Sequence, residues 1–248
     1  MLRVELRAQP SKVWSYASPL LALALTVLIG MALFMLLGKD PLRGLQVFFW
    51  EPIRTPYAIG ELLLKATPLL LIALGLAVCF RSNVWNIGAE GQFVLGALAA
   101  GGVALLAGPD SGRWMVLAVL LAGVAGGMVW AGLTAWLRDR FHANEILVSL
   151  MLVYVAIQLL GFLVYGPWKD PLGYNFPQTK TFEAAARMPR LFDGSRLNIG
   201  LPIALALAAG IWLYLFRTLS GFAQQVGGLA PAAARFAGFS SRRALWIA

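Results

Sequence analysis

Arg81-Ser82-Asn83-Val84-Trp85-Asn86-Ile87-Gly88-Ala89-Glu90-Gly91-Gln92 separates two apolar runs, residues 62–80 and 93–107, and is the most polar break in the first half of the chain. The second run is only 15 residues long. At about 1.5 Å of rise per residue, it falls short of a hydrocarbon core roughly 30 Å thick. A helix that crosses here has to borrow from residues 86–92, which brings Glu90 into the membrane or to its rim. A carboxylate at that depth marks a polar pathway inside a bundle. The other reading is an ordinary connection followed by a short or tilted helix. Gly88 and Gly91 suit the first reading, because glycine permits an unwound segment or close helix approach.

The rest of the chain agrees with a membrane setting. Hydrophobic residues make up 60% of the 248 positions and charged residues 12%, with a mean hydropathy of +0.75. Long apolar blocks of this kind give an all-α polytopic membrane helical bundle, and the alternation of a β-barrel is missing. The net charge of +9 would suggest nucleic acid in a soluble domain. Here the basic residues lie mostly in loops, where they meet anionic headgroups or partner subunits, so membrane lipid and not nucleic acid is the expected contact. The single cysteine, Cys79, lies in an apolar run and reads as a small core residue.

Taken in order, residues 1–18 carry Arg3, Glu5, Arg7 and Lys12 and lead into a first span over 19–37 that is too long for a signal sequence. Residues 38–61 form a polar, aromatic connection in which 42–50 can lie as a short interfacial helix. Spans follow at 62–80, at 93–107 extended backwards, at 114–137, 146–165 and 199–216. The bundle therefore has six complete spans, the start of a seventh at the C-terminal end, and a helix break near 81–92 as one reading. The whole reads as one transmembrane domain, 1–248, incomplete at its C-terminus. Gly123, Gly126, Gly127 and Gly132 in the fourth span allow close helix approach. Asn144 can cap the fifth span, with Glu145 at its positive end. Residues 166–198 are too aromatic for a linker and predict a folded surface cap. Charge alone does not orient the chain, because either assignment of sides divides the 20 basic residues evenly.

Within the connection 217–243, Gly228-Leu229-Ala230-Pro231-Ala232-Ala233-Ala234-Arg235-Phe236-Ala237-Gly238 predicts a short helix. Pro231 suits the first helical position, the alanines favour propagation, and Gly238 suits a left-handed stop. A helix of about seven residues is marginal alone in water, so it needs a surface to dock on. Phe236 and Arg235 offer apolar and charged contacts for one.

This segment resembles the cytoplasmic coupling segment G-x-N-P-x-A-A-x-Y-A-G of ABC importer permeases in the branched-chain amino acid, ribose and nucleoside group. Gly228, Pro231, Ala233, Ala234, Ala237 and Gly238 match; Phe236 replaces the Tyr, and Ala230 replaces the Asn that would cap the helix. Independently, Asn86 to Gln92 is similar to the F-N-I-G-A-E-G-Q motif of the nucleoside-type permeases, with Trp85 for the Phe. Asn144-Glu145-Ile146 with Met151-Leu152-Val153-Tyr154 resembles N-E-V-I…M-L-N-Y, with Val153 where the family has Asn.

The resemblance covers roughly residues 60–248. It implies a multi-pass subunit of a bacterial inner membrane importer, closest to nucleoside (simple-sugar-like) transport permeases. A second permease subunit would complete the path, an external substrate-binding lipoprotein would deliver solute, and cytoplasmic ATPase subunits would grip residues 228–238. It also implies that the N-terminus, 81–92, 137–145 and 217–243 are cytoplasmic and that 166–198 faces outward. Asn86, Glu90, Gln92, Asn144 and Glu145 are then candidates for the translocation path.

Nucleosides or related purine- or ribose-containing solutes are the expected cargo, with branched-chain amino acids or simple sugars as the alternative. An ion-coupled secondary transporter using Glu90 is the competing mechanism, although it leaves the alanine-rich helix unexplained. No enzyme is expected. His142 is the only histidine, and no nucleophile, metal cluster or phosphate-binding loop assembles around it. No cofactor is expected in the chain itself, and ATP would be bound by partner subunits.

Overall fold

The computed structural model describes residues 11–248. The charged stretch with Arg3, Glu5 and Arg7, and the cytoplasmic placing of the N-terminus, lie outside the described residues. The described chain falls into two compact units that divide at Leu62/Leu63.

In the first unit, α1 (Lys12–Leu36) runs through Pro19 where the sequence reading began the span. Proline is tolerated within a membrane helix when neighbouring groups re-satisfy the backbone. Asp40 caps α2 (Pro41–Leu45), its carboxylate accepting the Leu42 and Arg43 N–H groups at 2.9 and 3.4 Å. A π-helical turn, Gln46–Trp50, then leads into α3 (Glu51–Arg54), so the short helix expected over 42–50 forms within a longer helical stretch that carries a π turn. Gly44 lies against the Phe34 ring, 2.7 Å from where a Cβ would be. That contact folds α2 back on α1.

The remaining helices are α4 (Pro56–Arg81), α5 (Ala89–Leu105), α6 (Trp114–Phe141), α7 (Glu145–Tyr165), α8 (Gly200–Arg217), α9 (Leu219–Leu229), α10 (Pro231–Phe236) and α11 (Ser241–Ile247). Five described helices, α1, α4, α6, α7 and α8, are long and apolar enough to cross a membrane, and α5 is a shorter apolar helix. These are the six spans expected, but α5 reaches only about 26 Å with its 17 residues. It does extend backwards, and takes Glu90, Gly91 and Gln92 into its first turn. Large apolar residues such as Leu117, Leu121, Val129 and Phe162 face outward, as lipid outside the bundle allows.

The second unit is built on α5. It packs most extensively on α6 and then on α7. Gly126 sets the α5–α6 distance: an added Cβ would sit 2.6 Å from Ala99 Cβ and 2.9 Å from the Leu95 carbonyl. Gly123 and Gly127 also face α5, whereas Gly132 has nothing nearby. Two ends result. At one, Trp168 of the long loop covers Gly102, and Ala186 joins Ala104 and Met115 in a small core. The loop thus caps the ends of α5 and α6, as expected for a folded segment. At the other end gather the end of α4, the start of α5, the α6–α7 turn and all of α9, α10 and α11. The ties there are Arg81 to Gln225 at 3.4 Å, Ile87 to Ser149 at 3.3 Å and Arg242 to Asp139 at 2.9 Å.

Candidate functional site

The stretch 81–92 is a compact, hydrogen-bonded turn between two helices. Asn83, at φ 53°, supplies the left-handed residue that ends α4. The Val84 N–H returns to the Cys79 carbonyl at 2.9 Å and the Asn83 N–H to that of Phe80 at 3.2 Å, the paired closure of a helix end. Asn86 Oδ1 then accepts the Gly88 N–H at 2.9 Å, just ahead of α5, and the carboxamides of Asn86 and Gln92 bond to each other at 3.2 and 3.3 Å. Two glycines press this turn onto α7. A Cβ on Gly88 would sit 2.8 Å from Ser149 Cβ, and one on Gly91 would sit 3.0 Å from Val153 Cα.

The Asn86–Gln92 pair faces a cleft of about 410 Å³ between α4, α5 and α6, lined also by Leu71, Gly75, Cys79, Phe93 and Gly127. Its described lining side chains are carboxamides, glycines and apolar groups, none of them charged, and Ala248 also borders it. A smaller hollow below it connects Asn86 and Gln92 to Thr134, Arg138 and Glu145.

Of the other candidates, Glu145 reaches only the smaller hollow, and Glu90 and Asn144 line neither. Glu90 is exposed in the first turn of α5, where the helix dipole favours a carboxylate. Asn144 Oδ1 caps α7, accepting the Ile146 and Leu147 N–H groups at 2.9 and 3.4 Å. Glu145 pairs with Arg138 at 2.7 Å across the turn. That turn is shorter than expected, because Arg138, Asp139, Arg140 and Phe141 belong to α6, which stops at His142 in a left-handed conformation (φ 53°). Val153 is buried in the α5–α7 seam, away from the cleft lining.

The segment 228–238 forms α10, as expected. Pro231 occupies its first turn, and Ala230 supplies no side-chain cap. Gly238 is left-handed at φ 80°, with its N–H on the Arg235 carbonyl at 3.0 Å and the Phe239 N–H on that of Ala234 at 2.9 Å. This is the double closure of a Schellman stop. Phe239 then meets Phe222 edge to face, with ring centroids 6.3 Å apart. Ala234 is buried, whereas Phe236 is 97% exposed, with Arg235, Ala232 and Ala233 exposed beside it. Gly228, expected in a loop, belongs to α9.

Helix α9 ties this surface to the rest. Gln224, 2% exposed, accepts a hydrogen bond from the Tyr214 hydroxyl at 3.1 Å and donates to the Ala244 carbonyl at 3.0 Å. It thereby joins α8, α9 and α11. Gln225 donates to the Leu215 carbonyl at 2.6 Å and accepts from Arg81. Ser149, Gln224 and Gln225 were missed by sequence reading. Each is a single polar residue whose partner lies far along the chain.

Residues 58–248 match the family described as branched-chain amino acid transport system / permease component. The glucose ABC transporter permease protein TsgB13 of Haloferax volcanii is 34% identical over 96% of this chain and 66% of its own length. The guanosine ABC transporter permease protein NupP of Bacillus subtilis is 28% identical over 91% of this chain and 65% of its own. For the nucleoside ABC transporter permease protein NupB of Lactococcus lactis subsp. cremoris, the values are 29%, 92% and 64%. The chain therefore spans just under two thirds of the length of these relatives. No solved structure matches it. With most of its length inside that match, the chain belongs to the branched-chain amino acid transport system permease family.

Proposed function

We propose that this chain is a membrane-spanning permease subunit of an ATP-driven importer for nucleosides or related purine- or ribose-containing solutes. The observation that carries the reading is α10. It is a short helix closed at its C-terminal end by a Schellman stop, with Phe236 and Arg235 turned outward. A large aromatic at 97% exposure, on an element held by α9, is what a docking contact requires.

In this reading, cytoplasmic ATPase subunits grip α10, a second permease subunit completes the path, and an external lipoprotein delivers the solute. ATP is bound and hydrolysed by those ATPase subunits. Residues 81–92, 137–145 and 217–243 lie on the cytoplasmic side of the inner membrane with the N-terminus, and 166–198 faces outward. Nucleotide-driven closure of the ATPases moves α10. The motion passes through α9 to α8 and to the end of α4, and the cleft at Asn86 and Gln92 changes the side it faces.

A cleft lined by two carboxamides and apolar side chains suits an uncharged solute that makes weak, releasable hydrogen bonds. Nucleosides and simple sugars both qualify, and the relative named for glucose supports the sugar as the second reading. A zwitterionic amino acid would carry two charges past groups that cannot pair them. Ion coupling through Glu90 has less support, since that carboxylate is exposed and outside the cleft lining.

The test is uptake by the assembled transporter with Arg235→Glu and Phe236→Ala combined. ATP-driven uptake should be abolished while the chain still inserts and folds. Uptake that stays coupled to ATP overturns the docking assignment. Binding of nucleosides, sugars and branched-chain amino acids to the isolated delivery protein decides the cargo separately.

A further inference from the structure

The end of the second unit opposite α10 holds a cavity of about 740 Å³, lined by Arg113, Arg187 and Arg190 together with Val116 and Met188. Among its described lining residues none carries a carboxylate, and the nearby acids Glu183 and Asp193 are not part of the lining. Three guanidinium groups around one hollow make a positive site, and guanidinium forks match phosphate oxygens in pairs.

The frame around them is built. The strand-like pairing of 189–191 with 197–199, through Leu191 N–H to the Leu197 carbonyl at 2.9 Å and Ile199 N–H to that of Pro189 at 3.1 Å, holds Arg190 at the start of a tight turn. Arg113 stands at the N-cap of α6, and Ile199 at that of α8; neither caps its helix with a side-chain hydrogen bond. A cation at the positive end of a helix dipole is unfavourable on its own. Arg113 there, with Arg187 and Arg190 lining the same hollow, calls for an anion.

The position of the cavity says which anion. It sits at the first turn of α6, beside Trp114, which is 67% exposed. An exposed tryptophan at the end of a span marks the membrane–water interface. Val116, in the first turn of this span, and Met188 line the same hollow, so the site sets apolar side chains beside cationic ones at the start of a membrane-length helix. We propose that this arginine cavity binds the phosphate of an anionic phospholipid, with the upper acyl segment on Val116 and Met188. The site lies at the start of α6, whereas α11 is tied to the other end of that helix through Asp139, and it does not depend on the importer reading, only on the chain spanning a membrane.

The experiment uses the purified full chain in mixed nanodiscs of phosphatidylglycerol and phosphatidylcholine, with native mass spectrometry reading the retained lipid. The wild type should retain phosphatidylglycerol preferentially. The combined Arg113→Gln, Arg187→Gln, Arg190→Gln variant should lose that preference by about tenfold or more, since each basic group near a charged surface contributes roughly 1 kcal/mol. The matching Arg→Lys variant should keep most of it. Equal retention of both lipids by the wild type overturns the site, as does an unchanged preference in a folded Gln variant. If the triple Gln variant fails to fold, Arg187→Gln alone, on the exposed loop, takes its place with the same two outcomes. Displacement of the lipid by millimolar inorganic phosphate would make this a free-phosphate site. Arginine-dependent binding of a polyglutamate peptide without lipid preference would make it the seat of an acidic protein. Either result overturns the phospholipid assignment.

Discussion

Gly228 of α9 lies so close to Arg81 at the end of α4 that an added Cβ would sit 2.3 Å from the Arg81 carbonyl oxygen and 2.9 Å from the Ser82 carbonyl carbon. Both partners there are backbone, and backbone in a closed helix end does not yield as a side-chain tip does. The contact joins the segment leading into α10 to the segment leading into the Asn86–Gln92 turn. A displacement of one is therefore felt by the other.

Replacing Gly228 with Ala should lower stability by about 1–3 kcal/mol, the usual range for overpacking. Gly227 is its internal control. It precedes Gly228 in the same helix and has nothing within 4 Å, so Gly227→Ala should be neutral or raise stability by about 0.5–1 kcal/mol through helix propensity. Thermal unfolding in detergent, followed by tryptophan fluorescence, reads both. Equal melting temperatures for the two variants would show that the α4–α9 contact is looser than described.

The Tyr214–Gln224 bond makes a second prediction about the same connection. Gln224→Leu leaves the Tyr214 hydroxyl without its buried acceptor and should destabilise by about 1–3 kcal/mol. Tyr214→Phe alone should lose about 1 kcal/mol. The double variant should then be less damaged than the sum, with a coupling of at least about 0.5 kcal/mol. Strict additivity in the unfolding series would mean that the two side chains do not meet.

Asn144 presents a purely local effect. Its side chain accepts two N–H groups at the start of α7, so Asn144→Ala should cost about 1 kcal/mol as a lost cap, whereas Asn144→Asp or Asn144→Ser should restore most of it. Hydrogen exchange of Ile146 and Leu147, compared between the variants, is the direct measurement. Unaltered protection in the Ala variant would contradict the cap.

The sequence displayed the spans because apolar run length is a direct readout of bilayer thickness, and it displayed α10 because proline, alanine and glycine each mark a fixed position in a short helix. The limits of α4 and α6 were misplaced for one shared reason. Charged and capping residues at helix ends were read as loop, although Thr55-Pro56 opens α4, with Thr55 Oγ1 accepting the Ala58 N–H at 3.1 Å, and Arg138-Asp139-Arg140 closes α6. Helix α9 was not visible at all. Gly221, Gly227 and Gly228 lower its propensity, yet Gly221 and Gly228 are what let it press on α8 and α4. For the site, the polar motif announced Asn86 and Gln92. That they pair with each other, while Glu90 turns outward, depends on contacts no spacing encodes, whereas the Asn144 cap was legible from its place just ahead of the fifth span.

The last prediction separates a lining role from a structural one at the carboxamide pair. Asn86 has two tasks, since it accepts the Gly88 N–H as well as meeting Gln92. Changing it disturbs the turn whatever the cleft does. Gln92 bonds only with Asn86 among the side-chain contacts described for it, and Met can occupy its place with similar length and flexibility. Gln92→Met should therefore leave thermal stability within about 1 kcal/mol of wild type. If the cleft is the path, uptake by the assembled transporter should nonetheless fall severalfold, because one of its two carboxamides is gone and the other has lost its partner. Normal stability with normal uptake would exclude Gln92 from the path. Lost stability together with lost uptake would return the pair to a structural role. Only stable chain with slowed uptake fits solute passing between α4, α5 and α6.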